Sequence, residues 1–341
     1  MTISIANAVV LFLASAGASL FGTALMVRIA PRLGLVDRPN ERSSHTRVTP
    51  RGGGAAMVVV GSIVILTLVP LEQRELVALI PPFLLVAMVG LMDDFRGLSS
   101  LPRLIVHVAS VVWLLWWMGG TPELGWTALD TVPWLRHLLF AAAMVWFLNA
   151  FNFMDGIDGL AAAQGLFVAG GVVVCLAAGS APMQQAPLDF AATVGGICAG
   201  FLLLNWSPSR IFMGDVGSSS LGFLLGALCL IFWSRGLLSP WAAAALVSVF
   251  LADATTTLVR RFASGEDWLA PHRSHAYQHL ARRLRSHAKA TSVFMGINVV
   301  LVLPLAVSLQ RLEMPFSALL WLIAFGAGCM LAWWYGSGRS E

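Results

Sequence analysis

Residues 190–233 read FAATVGGICAGFLLLNWSPSRIFMGDVGSSSLGFLLGALCLIFW. Two apolar runs, 190–205 and 219–233, flank a short polar segment that holds Arg210 and Asp215. Neither run alternates with the period of a strand. A helix that is apolar all round belongs in a large core or in lipid. The pattern recurs near 3–27, 53–71, 76–92, 104–119, 135–151, 160–179, 241–258, 292–310 and 316–335. A membrane-crossing helix needs roughly 20 apolar residues. The 341 residues are 58% hydrophobic and 11% charged, against about 25% charged in a soluble domain. This composition excludes a soluble fold, a disordered chain and, despite the net charge of +4, a nucleic-acid partner. The expectation is all-α: a single integral-membrane domain over 1–341 with about eleven transmembrane helices. The first run lacks a basic start and is long enough to span, so it reads as a helix rather than a cleaved signal.

The basic residues are 20 Arg and one Lys, Lys289. With the N-terminus outside, seventeen fall in inside segments and four outside, namely Arg74, Arg136, Arg235 and Arg311. That asymmetry orients the chain N-terminus out and C-terminus in. Cys175, Cys198, Cys229 and Cys329 sit in apolar runs without metal-ligand spacing, and read as small buried hydrophobes.

Acids are costly in a bilayer, so their placement is informative. Asp93 and Asp94 end the third run, Asp155 and Asp158 follow the fifth, and Asp215 precedes the eighth, all on the predicted inside face. Carboxylates, Asn, Gly and Arg converging on one face suit a divalent cation shared with phosphates. In Asn149-Ala-Phe-Asn152-Phe-Met-Asp155-Gly-Ile-Asp158-Gly, the two Asn share a helical face and Asp155 continues the spacing. Asp158 also reads as a helix cap. In Met213-Gly-Asp215-Val-Gly-Ser218, a helix opening offers free N–H groups to phosphate. Asp215 reads either as a metal ligand beside that anion or as a cap. Arg96 and Arg103 near the Asp pair suit phosphate positioning. Gly52–Gly54 at a helix entry could cradle an anion. In the last long inside loop, His272, His275, His279 and His287 suit substrate hydrogen bonding better than zinc, since no Cys or clear carboxylate ligand accompanies them. Tyr277, Leu280 and Leu284 could form an apolar stripe on the membrane. Asp253 reads as a structural partner for Arg260 or Arg261 in preference to a site residue.

Taken in order, Asp37-Arg-Pro-Asn40 with His45, Pro50-Arg-Gly-Gly-Gly54, Asp93-Asp94, Asn149 to Gly159 and Met213 to Ser218 resemble the polyprenyl-phosphate N-acetylhexosamine-1-phosphate transferases. The resemblance covers roughly residues 28 to 290. It implies Mg²⁺-dependent transfer (Mn²⁺ can substitute) of a HexNAc-1-phosphate from a UDP-amino sugar to undecaprenyl phosphate, releasing UMP. By that resemblance Asp215 and Asp155 match metal ligands, and Asp93, Asp94, Asn152 and Asp155 the catalytic centre. Asn205, Phe212, Asp158, Arg51, His45, His275, Tyr277 and Gln278 match substrate-binding positions. The expected setting is the cytoplasmic face of a bacterial inner membrane, and a homodimer is an open possibility. Relatives using UDP-N-acetylglucosamine carry Ser-His-x-His-His in the last loop; here it reads Ser274-His275-Ala276-Tyr277-Gln278. The departure resembles the O-antigen-initiating branch, whose donors include the 6-deoxy sugars N-acetylfucosamine and N-acetylquinovosamine. The alternative from another class is a secondary transporter of an anionic substrate. Transporters bind near the midplane and often show repeats, whereas these acids sit at one surface.

Overall fold

The computed structural model describes residues 4–39, 47–266 and 272–339 and is almost entirely helical. His45 and Asn40 lie outside the described residues. The helices are α1 (Ile5–Ile29), α2 (Gly54–Leu68), α3 (Gln73–Arg96), α4 (Ser100–Met118), α5 (Thr127–Asp130), α6 (Pro133–Phe153), α7 (Leu160–Ala178) and α8 (Gln185–Asn205). They continue with α9 (Asp215–Ser234), α10 (Pro240–Leu246), α11 (Ser248–Ala263), α12 (Ala276–Leu284), α13 (His287–Ile297), α14 (Leu303–Arg311) and α15 (Phe316–Tyr335). A π-helical turn, Asn298–Val302, joins α13 to α14. The described strands are β1 (Val36–Asp37) and β2 (Thr49–Pro50), paired antiparallel with Val36 opposite Pro50.

Every one of the eleven apolar runs is helical, yet the number of spans is smaller than eleven. Among the described residues nine helices are long and apolar enough to cross a membrane, counting α13 to α14 as one, and ten if the bent pair α10 and α11 is a single span. The second run, 53–71, gives α2, whose 15 residues reach about 22 Å, short of the roughly 30 Å of a hydrocarbon core. In lipid every backbone group must be satisfied within the protein, and at two irregular points side chains supply a donor that the helix lacks. Pro81 lies inside α3 and cannot donate to Val77; the Val77 carbonyl instead accepts from Trp113 Nε1 at 2.8 Å. Where α10 and α11 bend by 68°, the Leu246 carbonyl accepts from Gln164 Nε2 at 3.0 Å, and Asn298 Nδ2 holds Gln164 Oε1 at 2.6 Å.

Helix α9 forms the centre, with nearly every side chain from Val216 to Trp233 buried. Small residues let the bundle close around it. A Cβ on Gly90 of α3 would stand 2.4 Å from the Asp215 carbonyl oxygen, and one on Gly54 would stand 2.2 Å from Gly217 Cα. Both approaches fall at the end of the bundle where the acids gather. At the opposite end, Arg235 Nε donates to Glu75 Oε1 at 2.7 Å. Cys175 and Cys198 are buried, Cys229 and Cys329 partly so, and all four are free thiols.

Candidate active site

The ends of α3, α6 and α9 bring Asp93, Asp94, Asp155 and Asp215 together. Asp94 is buried and fully engaged. Its Oδ1 accepts from Asp215 N at 3.0 Å and its Oδ2 from Val216 N at 3.1 Å. Arg51 donates to the same Oδ1 through Nε at 3.0 Å and through Nη2 as well. The first N–H groups of a helix lack intrahelical partners, and α9 begins at Gly214 without a side-chain cap of its own. Asp94 supplies that cap from another helix. Gly214 has φ +76°, and a Cβ there would meet Asp94 Oδ2 at 2.5 Å. The N-terminus of α9 is therefore not open to phosphate as its sequence led us to expect. Gly217 N and Ser218 N also have a partner, the Gly214 carbonyl, each at 3.0 Å.

Gly52–Gly54 likewise departs from the anion-cradle expectation. Gly53 N and Gly54 N donate to the Phe212 and Met213 carbonyls at 3.0 and 2.9 Å, while Phe212 N donates to Pro50 O at 2.8 Å. These backbone bonds pin the first inside loop, with Arg51, against the segment preceding α9, and the partly exposed Phe212 sits at that seam.

Asp93 closes the α3–α4 turn by accepting from Leu98 N. Its Oδ2 lies 2.9 Å from Arg103 Nη1, which also lies 2.6 Å from Asp215 Oδ2. From α6, Asn152 Nδ2 donates to Ser218 Oγ at 2.9 Å and Ser219 Oγ at 3.3 Å on α9. Asp155 follows in the turn after α6. Burial first, and then the charges of Asp215, Asp94 and Asp158, push its carboxyl well above the ordinary carboxylate range. Asp93, Asp94 and Asp215 outnumber the two guanidiniums beside them, and with the Asp155 carboxyl they form an all-oxygen donor set, which fits Mg²⁺. Among the described residues no three His, Cys, Asp or Glu side chains yet form a metal-ligand cluster; Arg103 stands between two of the acids.

The remaining predicted residues lie beside this centre. Asp158 accepts from Ser209 Oγ at 2.9 Å, and His287 Nδ1 lies 3.3 Å from its Oδ2. Burial alone would raise the Asp158 carboxyl, but His287 and the Ser209 hydrogen bond outweigh it and hold it below its usual value. Asn205 ties loops together: Oδ1 accepts from Gly159 N at 3.0 Å and Nδ2 donates to Ile211 O at 2.9 Å. Tyr277 is buried, not laid on a membrane surface, and its hydroxyl donates to the Phe153 carbonyl at 2.9 Å. A Cβ on Gly156 would stand 2.0 Å from that hydroxyl, so α12 braces the turn that carries Asp155. His275 packs between Phe153 and Tyr277. Gln278, Arg273, Arg282, Arg285, His287, Ser207 and Ile157 line a cleft of about 490 Å³.

Asp253 is structural, as expected, but with other partners. It accepts from Ala276 N at 2.8 Å and Tyr277 N at 3.1 Å, and so caps α12. Sequence reasoning missed Ser209 and Ser219, and read Ser218 as part of a helix opening, not as the partner of Asn152. The Ser218–Ser220 run beside Asp215 was the available signal for Ser219.

A polytopic helical membrane protein with a carboxylate and guanidinium cluster at one end of its bundle is the class that this fold and site define. The model of glycosyl transferase family 4 matches residues 76–233. The chain is 30% identical over 321 residues to the decaprenyl-phosphate N-acetylglucosaminephosphotransferase of Mycolicibacterium smegmatis, covering 82% of this chain and 77% of that one. It is 28% identical over 332 residues to a probable undecaprenyl-phosphate N-acetylglucosaminyl 1-phosphate transferase of Bacillus subtilis, covering 93% and 87%. A phospho-N-acetylmuramoyl-pentapeptide-transferase of Synechococcus is 32% identical over 253 residues, covering 68% and 67%. The chain belongs to glycosyl transferase family 4 and is a membrane-bound phosphotransferase. Membership sets the transporter alternative aside.

Proposed function

We propose that the chain transfers an N-acetylhexosamine-1-phosphate from a UDP-sugar to undecaprenyl phosphate at the cytoplasmic face of a bacterial inner membrane. The observation that carries this reading is the convergence of Asp93, Asp155 and Asp215 with Arg103 at one end of the bundle, beside an Arg-lined cleft. An oxygen of the lipid phosphate attacks the β-phosphorus, the bond from that phosphorus to the bridging oxygen breaks, and UMP leaves with the bridging oxygen. The attacking phosphate is already an anion, with its second pKa near 6, so no general base is needed. Such transfer depends mainly on positioning and charge neutralisation. Asp215, Asp155 and Asp93 would hold Mg²⁺, or Mn²⁺ in its place, and the ion would supply charge neutralisation at the phosphates. Asp94 holds Arg51 and the start of α9, and Asn152 fixes α6 to α9. The Arg273, Arg282 and Arg285 cleft suits the donor's phosphates. The decisive assay is UMP release from a UDP-sugar by purified protein. Turnover without polyprenyl phosphate, or undiminished by chelation of divalent ions, would overturn the reading.

The finer reading of the donor is a 6-deoxy sugar, N-acetylfucosamine or N-acetylquinovosamine, at the start of O-antigen synthesis. Its support is the loss of two His at Tyr277 and Gln278. Gln278 reaches the cleft, whereas the Tyr277 hydroxyl is engaged by Phe153.

A further inference from the structure

The two guanidiniums of the site are held in different ways. Arg51 pairs with Asp94, whose oxygens are also fixed by two backbone N–H groups. Arg103 has no such anchor. The bonds the structure gives it run from one nitrogen, Nη1, to Asp93 Oδ2 at 2.9 Å and Asp215 Oδ2 at 2.6 Å. Its side chain is 27% exposed, and Asp215 is 22% exposed. A single cation thus bridges two acids from two different helices and leaves one negative charge over, and these are acids that the proposed function gives to the divalent ion.

We infer that Arg103 is an exchangeable counter-ion: it pairs with Asp93 and Asp215 until a divalent ion takes those carboxylates, and then turns its charge to the phosphate of the lipid acceptor. This rests on the transferase reading above. A guanidinium shared by two carboxylates has no net charge left to attract a phosphate. In that state the phosphate also meets the negative charge left over on the Asp93 and Asp215 pair. Neutralising Asp93 and Asp215 with a divalent ion both removes that repulsion and frees Arg103. Metal and acceptor therefore favour each other's binding, and the coupling is reciprocal. Arg96, exposed in the last turn of α3, lies nearby without being part of the bridge. It separates an exchange at Arg103 from a general effect of local positive charge.

The test uses the full chain purified in one detergent. Mn²⁺ binding is read from the electron paramagnetic resonance of the free ion, and farnesyl phosphate is titrated with and without Mn²⁺. Arg103→Gln should bind Mn²⁺ roughly three- to tenfold tighter than wild type, the size expected for removing a partly exposed ion pair. Arg96→Gln should stay within about twofold, as a screened surface charge would. Mn²⁺ should tighten farnesyl phosphate binding at least about fivefold in wild type, the lower end of usual couplings. Arg103→Gln should lose most of that gain and Arg103→Lys should keep much of it. Equal or weaker Mn²⁺ binding by folded Arg103→Gln overturns the exchange, and so does acceptor binding by wild type that ignores Mn²⁺. Should Arg103→Gln not fold, the wild-type coupling and Arg103→Lys still decide. A wild-type protein that binds Mn²⁺ and turns over but fails these comparisons defeats the exchange alone. One that neither binds Mn²⁺ nor releases UMP defeats the transferase reading as well.

Discussion

Asp94 caps the helix that Asp215 begins. Its carboxylate accepts the N–H of Asp215 at 3.0 Å and that of Val216 at 3.1 Å, across a helix contact made close by Gly90. The neighbouring acid, Asp93, faces Arg103 and Asp215 instead. Two adjacent carboxylates therefore differ in role: Asp94 builds the site and Asp93 faces into it.

Replacing Asp94 should cost stability as well as turnover. Asp94→Ala leaves two helix N–H groups without an acceptor and Arg51 without its partner. Loss of a cap costs about 0.5–2 kcal/mol, and the stranded Arg51, which is 30% exposed, adds to that. Asp94→Asn keeps one acceptor oxygen and should fall between. Thermal unfolding in detergent is the measurement; an Asp94→Ala protein as stable as wild type would remove the capping role.

Asp215→Asn should behave oppositely, staying folded while losing turnover. The Asp215 side chain is partly exposed and bonded to Arg103, so little packing depends on its charge. Transition-state electrostatics of this kind are worth roughly 10²–10³ in rate. UMP release across a Mg²⁺ titration, with gel filtration as the folding control, tests this. Wild-type rates in Asp215→Asn would sink the metal role.

The run pattern made the helices legible because lipid leaves the backbone few alternatives to helix. What it hid was length: the run at 53–71 looked like its neighbours, but the chain turns after Leu68 and gives a helix too short to span. The acids were legible as a group, since each sits at a run's end. Their division of labour was not. Whether Asp94 or Asp215 caps α9 is decided by the α3–α9 approach at Gly90, a tertiary fact. Asp253 shows the same limit, because its partners Ala276 and Tyr277 lie 23 and 24 positions on. Gly53 and Gly54 were read as an anion cradle, yet their N–H groups serve the Phe212 and Met213 carbonyls.

Orientation is a separate prediction from the seventeen-to-four split of basic residues. Reporter fusions after Arg103 and after Arg210 should report cytoplasm, and fusions near Gln185 the other side. A periplasmic signal at Arg103 would place the carboxylate cluster on the wrong face for a cytoplasmic nucleotide-sugar.

Acid should loosen the seat of α12. Burial, together with the charges of His275 and Arg261, pushes the His272 imidazole down to about 3, against about 6.5 in an unfolded chain. Between those values the unfolded segment binds a proton that the native one does not. Its stability is thus intact above about pH 6.5 and falls as pH drops toward 3. The loss at pH 5 is below about 2 kcal/mol, because His272 is only partly buried. Asp158, held below its usual value, contributes stability that goes only below about pH 4. Hydrogen exchange of peptides covering 272–284, corrected for intrinsic rates, should show faster opening at pH 5 than at pH 7.5, with the difference reduced in His272→Gln. Equal protection at both pH values would refute the assignment.

The donor choice should centre on Gln278. Tyr277 replaces a His of the family pattern, but its buried hydroxyl serves the Phe153 carbonyl and is not free to meet a sugar. Gln278 lines the cleft, although its Oε1 also accepts from His275 N at 3.3 Å. That leaves mainly an amide donor pair to face a ligand where relatives present imidazole. Those N–H groups can serve a sugar 6-hydroxyl only as an acceptor; its own O–H left without an acceptor would cost about 1–3 kcal/mol, a preference of roughly 5- to 150-fold for a 6-deoxy donor. With equal UDP-N-acetylfucosamine, UDP-N-acetylquinovosamine and UDP-N-acetylglucosamine, mass spectrometry of the lipid product should show the 6-deoxy sugars dominant. Gln278→His should shift incorporation toward N-acetylglucosamine, while Tyr277→His should mainly lower the overall rate by freeing the turn before Asp155. Equal or greater incorporation of N-acetylglucosamine by wild type would defeat the 6-deoxy assignment and leave the transfer reaction untouched.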